Sequence, residues 1–331
     1  MRAARFRARD RTGRLSLAAM DERDAARVRA LLREHLGGVA EGVRRLAGGE
    51  FSRAFAAAVG GRRYVVRLSG FEHAGEAFAK DAYAGRRFAS PELPIPRVLA
   101  IGRCDGDHFA ISERAAGRRL AELSAEERRT VLPAALDTLD AIGRADVSGA
   151  RGYGGWDASG NGRSATWRAF LLDVIENRSE GFYRDWHALF RMSFLERGPY
   201  ELVYRRMLEL AAACPEERAL IHQDYHFDNV LTDGRRVTGV LDWGNACYGD
   251  RLFDVAWVGW VFRKDGDLDA ATPLRERHGA EPRFDERIAC YQCRIGLDDM
   301  RFFARTGRRA QYEWTRDRLL ELVGGGRGRR R

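Results

Sequence analysis

The sequence predicts an α+β protein of two lobes, a small β-rich lobe followed by a larger helical one. Three observations carry this. Short β-like runs fill residues 51–112 around one helical stretch, whereas apolar spacing of the helical period dominates after Gly117. Gly-Gly and Asp-Gly pairs punctuate the chain as hairpin turns. A length of 331 residues, 45% of them hydrophobic, suits two domains or one two-lobed unit and needs no disulfide or metal to hold its core.

Residues 1–20 are Arg-rich with little periodicity and read as a basic N-terminal arm. The first lobe is expected over 21–113. It opens with a helix over 21–36, where Ala25, Val28, Leu31, Leu32 and Leu36 recur at helical spacing before Gly37-Gly38 stops it. Runs 51–59 and 62–68 are strands joined by Gly60-Gly61. Residues 72–88 form a helix ended by Pro91, Pro94 and Pro96, and 97–101 and 108–112 are two more strands around Asp105-Gly106. The second lobe is expected over 114–323. Ser124-x-x-Glu127 is a capping box, followed by Val131, Leu132, Ala135, Leu136, Leu139 and Ile142 on one helical face. Pro133 either kinks that helix or begins another. The Gly-rich stretch 149–162 reads as a surface loop, and 166–177 and 199–213 as helices. Residues 230–231 and 237–241 form a hairpin about Asp233-Gly234, and helices then run to about residue 323. Residues 324–331 are expected to be a disordered basic tail.

The net charge of +9 invites a nucleic-acid reading, but Lys80 and Lys264 are the only lysines beside 55 arginines. That bias, with abundant Ala and Gly, points to a GC-rich coding origin, and no nucleic-acid-binding fingerprint accompanies the charge. The longest apolar run, Val255–Phe262, is far short of the roughly 20 residues of a membrane span. Cys104, Cys214, Cys247, Cys290 and Cys293 are an odd, scattered set and no disulfide framework. Cys290 and Cys293 lack the further ligands that a zinc site needs. A cytoplasmic monomer without nucleic-acid or membrane partners is expected.

The densest chemistry is His222-Gln223-Asp224-Tyr225-His226-Phe227-Asp228-Asn229, followed by Asp242-Trp243. The hairpin between them folds Asp242 back toward Asp224 and Asn229. Two oxygen donors beside a carboxylate suit Mg²⁺ together with phosphate and water. Asp224 is then placed to take a proton from an attacking hydroxyl. An H-x-D-x-x-x-x-N loop followed by a metal-binding Asp resembles the kinase superfamily. Trp243 after that Asp, with Gly249-Asp250-x-x-x-Asp254, makes the chain similar to the aminoglycoside phosphotransferase family.

The resemblance implies a bilobal protein-kinase-like fold and an ATP- and Mg²⁺-dependent O-phosphotransferase, with an aminoglycoside acceptor and a role in antibiotic resistance. Asp224 would be catalytic, and Asn229 and Asp242 would hold the metal. In the first lobe, Arg67 stands where the phosphate-holding cation belongs, with Asp81 or Glu76 as its partner. Ser52, in the run Gly48–Arg53, would touch the phosphates. The Ser112 carbonyl and Arg114 amide would meet the adenine edge at a hinge. Glu50-x-Ser52-Arg53-Ala54-Phe55, Leu93-Pro94-Ile95-Pro96, Thr166-Trp167-Arg168 and Arg294-Ile295-Gly296-Leu297-Asp298 resemble one branch of the family, which also carries Arg in place of Lys. The acceptor is a polycation, so its pocket should be acidic. Asp298 continues the apolar stripe of Ile288, Tyr291, Ile295 and Phe302, where it needs a partner, either an ammonium group of the acceptor or a neighbouring arginine. Asp299 and Asp228 are further acceptor candidates, and Trp257 and Trp260 offer stacking faces unless they belong to the core. A same-fold kinase of another alcohol and a nucleotide-binding pseudokinase are the competing readings.

Overall fold

Alternation of buried and open side chains along residues 53–69 builds the sheet expected of the first third. The computed structural model describes residues 13–47, 49, 51–157, 159–266 and 268–324, without the side chains of 13–21 and 263–266. The chain divides into two compact units, Met1–Ala82 with Pro96–Arg114, and Tyr83–Ile95 with Ala115–Arg331.

In the first unit, helix α1 (Gly13–Leu36) precedes strands β1 (Glu41–Arg45), β2 (Arg53–Val59) and β3 (Arg62–Ser69). Helix α2 (Ala74–Arg87) and strands β4 (Val98–Cys104) and β5 (Asp107–Glu113) follow. The antiparallel sheet runs β1-β2-β3-β5-β4. Gly60 and Gly61 make the β2–β3 turn at φ 55° and 77°, a left-handed pair that only glycine adopts at no steric cost. Val28, Leu31 and Leu32 of α1 pack with Phe55, Ala57, Val59, Val66 and Leu68 of the sheet. Arg67, between Val66 and Leu68, therefore faces the other side, where Ala74 and Phe78 of α2 pack on Ala110. Helix α1 extends into the stretch expected to be an arm, since residues 13–20 are helical. Residues 1–12 lie outside the described residues, as do 325–331 of the expected tail.

Residues 83–95 count with the second unit, a departure from the expected boundary. Phe88, Leu93 and Ile95 share the core of that unit with Leu136 and Leu139, and Pro94 O accepts from Val240 N at 2.8 Å. The second unit continues with β6 (Arg118–Arg119), α3 (Ala125–Gly143), β7 (Tyr153–Trp156), β8 (Gly162–Ser164), α4 (Trp167–Leu172), α5 (Leu189–Met192) and α6 (Arg197–Leu210). Then come β9 (Ala219–Ile221), β10 (Val230–Thr232), β11 (Val237–Val240), β12 (Cys247–Gly249), α7 (Leu252–Gly266), α8 (Ala271–His278), α9 (Phe284–Thr306) and α10 (Arg309–Gly324). Both arms of the Ser124/Glu127 capping box are made, and α3 passes through Pro133 as one helix. The Gly-rich stretch expected to be a loop supplies β7 and β8, which join β12 and β9 in a sheet ordered β8-β7-β12-β9. A second small sheet, β11-β10-β6, carries the expected hairpin. Trp156, Trp167, Trp186, Trp243 and Trp260 are fully buried and dominate the core. No described helix is long and apolar enough to cross a membrane.

Candidate active site

Residues 222–229 connect β9 to β10, and their burial alternates. Tyr225 and Phe227 enter the core, whereas Asp224 and His226 are half-buried and Asp228 is exposed. Tyr225 Oη donates to the Ala135 carbonyl of α3 at 2.8 Å, and Ala121 N donates to Phe227 O at 2.9 Å. Two core anchors thus leave the polar side chains between them facing outward. His222 braces the entry of the loop. Its Nδ1 accepts from Asp224 N at 3.2 Å, so the ring proton sits on Nε2, which donates to Leu241 O at 3.0 Å.

Asp254 of α7 holds the same entry from below. Its two carboxylate oxygens accept from His222 N at 2.7 Å and Gln223 N at 2.9 Å. Gln223 has φ 62°, a left-handed conformation costing about 1–2 kcal/mol for a non-glycine residue. The Asp254 bonds maintain that turn, which delivers Asp224 to the outer face. Burial pushes the Asp254 carboxyl up to about 7, with the two backbone donors pulling the other way and the Asp224 charge adding to the rise.

Asn229 closes the loop. Its Nδ2 donates to Asp224 O at 3.0 Å and to Asp224 Oδ2 at 3.1 Å. Since the amide nitrogen is turned to Asp224, the amide oxygen is turned away from it. Leu241 N donates to Asn229 O at 2.8 Å, which ties Asn229 to the residue just before Asp242. Asp242 is exposed and takes φ 63°, a second non-glycine residue in the left-handed region. The hairpin therefore sets the backbone of Asp242 next to Asn229, which itself holds Asp224. The amide oxygen of Asn229 and the carboxylate of Asp242 are hard donors of the kind that suits Mg²⁺ with water and phosphate completing its shell.

In the first unit Arg67 forms an ion pair with Asp81 on α2, and its guanidinium lies 4.6 Å from the Phe78 ring centroid. Asp81, one of the two expected partners, is thus paired with Arg67. Ser52 is half-buried at the entry to β2, and residues 48 and 50 of the expected phosphate loop lie outside the described residues. Ser112 pairs with Val65 of β3. The Arg114 amide does not fit its expected role, because it donates to Arg63 O at 3.0 Å. An N–H turned into the sheet is not presented to an adenine edge.

Residues 42–303 match the phosphotransferase enzyme family. The chain belongs to this family. It is an O-phosphotransferase with the kinase-like fold. It is 35% identical over 291 residues to hygromycin-B 4-O-kinase of Escherichia coli, a match covering 86% of this chain and 81% of the relative. A ternary complex of a thermostable mutant of aminoglycoside phosphotransferase APH(4)-Ia with AMP-PNP and hygromycin B matches with a TM-score of 0.79. The identity is 33%, over 91% of this chain and 99% of that one. Another crystal structure of APH(4)-Ia matches with a TM-score of 0.80 at 31% identity, over 92% and 99% of the two chains.

The acceptor candidates of this phosphotransferase need correction. Asp298 is bonded to both Arg294 and Arg301, which lie four residues before and three after it on the same helical face. Arg294 also reaches Asp173 at 3.2 Å, and Arg301 lies over the Tyr183 ring. Asp298 is therefore a charge in a chain of ion pairs, which is the arginine-partner alternative that its place on the stripe allowed. Trp260 is core, wedged against Trp314 and lying 4.5 Å from the Arg318 guanidinium. Asp299 accepts from Trp260 Nε1 at 3.3 Å, and Trp257 packs at the margin of the core. Asp228 is the most open of the three carboxylates and lies 3.3 Å from Arg119. Two residues of consequence were not singled out by role: Asp254, present only as a letter in a motif, and His226. A third, Asp250, is fully buried with Arg287 at 2.8 and 2.6 Å and with the Tyr291 hydroxyl, fixing α9 to the start of α7.

Proposed function

We propose that the chain is an ATP- and Mg²⁺-dependent aminoglycoside phosphotransferase whose acceptor is hygromycin B. The observation that carries this is the contact of Asn229 with Asp224, with the backbone of the hairpin that carries Asp242 bonded to Asn229, in a chain 35% identical to hygromycin-B 4-O-kinase over 86% of its length. Asp224 orients the acceptor hydroxyl and takes its proton as the new oxygen–phosphorus bond forms and the bond from the γ-phosphorus to the bridging oxygen breaks, releasing ADP. Its side chain suits this role, since Asn229 holds one oxygen and His222 and Asp254 fix the backbone that leads into it. Asn229 and Asp242 would hold Mg²⁺, which supplies neutralisation of charge on the transferring phosphates. Arg67 would clamp the nucleotide phosphates, its fork held by Asp81 and its stem flanked by Phe78. Phosphoryl transfer passes through a loose transition state, so these positioning and electrostatic contributions are the larger part of catalysis. Asp228, on the open side of the loop, is the carboxylate best placed to meet a cationic group of the acceptor; Asp299 is secondary.

The test is a kinetic comparison of hygromycin B with a panel of other aminoglycosides and aminocyclitols, using purified protein, ATP and Mg²⁺. Hygromycin B should have the highest kcat/KM and gain one phosphoryl group by mass. A different antibiotic with a higher kcat/KM would overturn the acceptor assignment, and ATP turnover without any phosphorylated acceptor would overturn the transferase reading.

A further inference from the structure

Two side chains, not one, hold the carboxylate of Asp224. Asn229 Nδ2 lies 3.1 Å from Oδ2, and on the other side His226 Nε2 lies 3.3 Å from Oδ1. The state of that imidazole follows from its second nitrogen. His226 Nδ1 accepts from Asp228 N at 3.1 Å, so the neutral ring carries its proton on Nε2, the atom facing Asp224. The two N–H groups of the Asn229 amide go to Asp224 O and Oδ2, so its 3.3 Å approach to His226 Nε2 is a contact between two neighbours of the carboxylate and not a further bond. The alternation of the loop produces this arrangement. Tyr225 and Phe227 are drawn into the core, which leaves Asp224 and His226 next to each other on the outward side.

We propose that His226 is a positioning residue that fixes the rotation of the Asp224 carboxylate through the close Nε2···Oδ1 contact. This rests on the reading of Asp224 as the group that takes the acceptor proton. With Oδ1 and Oδ2 each held by a separate donor, rotation about the last bond of Asp224 stops. The remaining lone pairs then point in one direction, toward the incoming hydroxyl. Without His226 the carboxylate has one tether and turns about it, and a misdirected base lowers the rate without weakening ATP binding.

The two ring nitrogens can be tested separately. His226→Gln places an N–H donor near the position of Nε2 and gives up the Nδ1 acceptor. His226→Asn places an acceptor near Nδ1 for the Asp228 amide and gives up the donor to Asp224. For these variants and His226→Ala, kcat, the KM values for ATP and hygromycin B, and Tm are measured on folded full-length protein. His226→Gln should keep most of the wild-type kcat, whereas His226→Asn and His226→Ala should lose about 10- to 100-fold in kcat with an unchanged KM for ATP. The reverse order, with Asn active and Gln impaired, would show that His226 serves only the fold of the loop and would overturn the proposal. Wild-type kcat in all three variants, or a loss seen in the KM for ATP, would also overturn it. Failure of the wild type to phosphorylate any acceptor would remove the proposal together with the reading of Asp224.

Discussion

Asp254→Asn changes one buried oxygen to nitrogen and nothing in shape, yet it should disable the catalytic loop. The native carboxylate accepts from His222 N at 2.7 Å and Gln223 N at 2.9 Å. Asparagine keeps one acceptor and turns an NH₂ group toward the other N–H. One charge-assisted bond is lost and one buried donor is left unmatched, at a cost of about 2–4 kcal/mol. The turn at Gln223 is already in the left-handed region, so the loop has a lower-energy conformation to relax into. A displacement of Asp224 by about 1 Å would lower kcat by about 10²-fold. The pH dependence has a definite sign. The folded chain binds the Asp254 proton more tightly than the unfolded chain does, with its carboxyl pushed up to about 7 by burial. Its stabilising contribution is therefore complete below the ordinary carboxylate range and is lost as pH rises through about 7. Steady-state kinetics and a series of Tm values from pH 5.5 to about 8.5 test both points, the window being chosen to bracket the folded titration. Asp254→Asn should have a low kcat and a flatter slope of Tm against pH. Wild-type kcat together with an unchanged slope would refute the account of how Asp224 is positioned.

Three further outcomes follow from the same geometry. Arg67→Ala should raise the KM for ATP with little effect on the KM of the acceptor, and Arg67→Lys should be milder but not neutral because the fork is lost; both are read by varying ATP at saturating acceptor. Asp298→Asn should lower Tm while leaving the KM of the acceptor near wild type, since its partners are Arg294 and Arg301; scanning calorimetry and acceptor titration on one preparation check this. Asp242→Ala should abolish phosphotransfer more completely than Asp224→Ala, because a general base contributes about 10²–10⁴-fold and electrostatic stabilisation is the larger factor; single-turnover rates of the two variants decide it.

How far the site was legible varies residue by residue. The contact of Asn229 with Asp224, and the hairpin that returns the chain from Asn229 to Leu241, could be read because a five-residue spacing and the Asp233-Gly234 turn act through local chain geometry alone. Arg67 and Asp81 were legible for a similar reason, as strand alternation and one helical turn decide which faces they occupy. Asp298 was read correctly as inward-facing, but a helical stripe reports only direction and not partner. Arg294 and Arg301 lie on that same stripe, and their distance in sequence from Asp298 already allowed the pairing that the fold adopts. Trp260 and the Arg114 amide depended on packing and on sheet register, which arise between segments far apart in sequence. The strands at 153–156 and 162–164 were hidden because glycine carries no periodicity; they pair with each other, and the pairing of the first with β12 comes from tertiary context. The role of Asp254 was beyond sequence reasoning for the same reason, since its backbone partners lie 31 and 32 residues away.

The central claim is that Asp224 and its neighbours transfer the γ-phosphoryl group of ATP to a hydroxyl of hygromycin B. It is tested most directly by following radiolabelled γ-phosphate from ATP into hygromycin B with wild type and Asp224→Asn under identical Mg²⁺. The account predicts labelled hygromycin B from the wild type, and a rate lower by at least about 10²-fold from a folded Asp224→Asn protein. Equal labelling by the two proteins would contradict it.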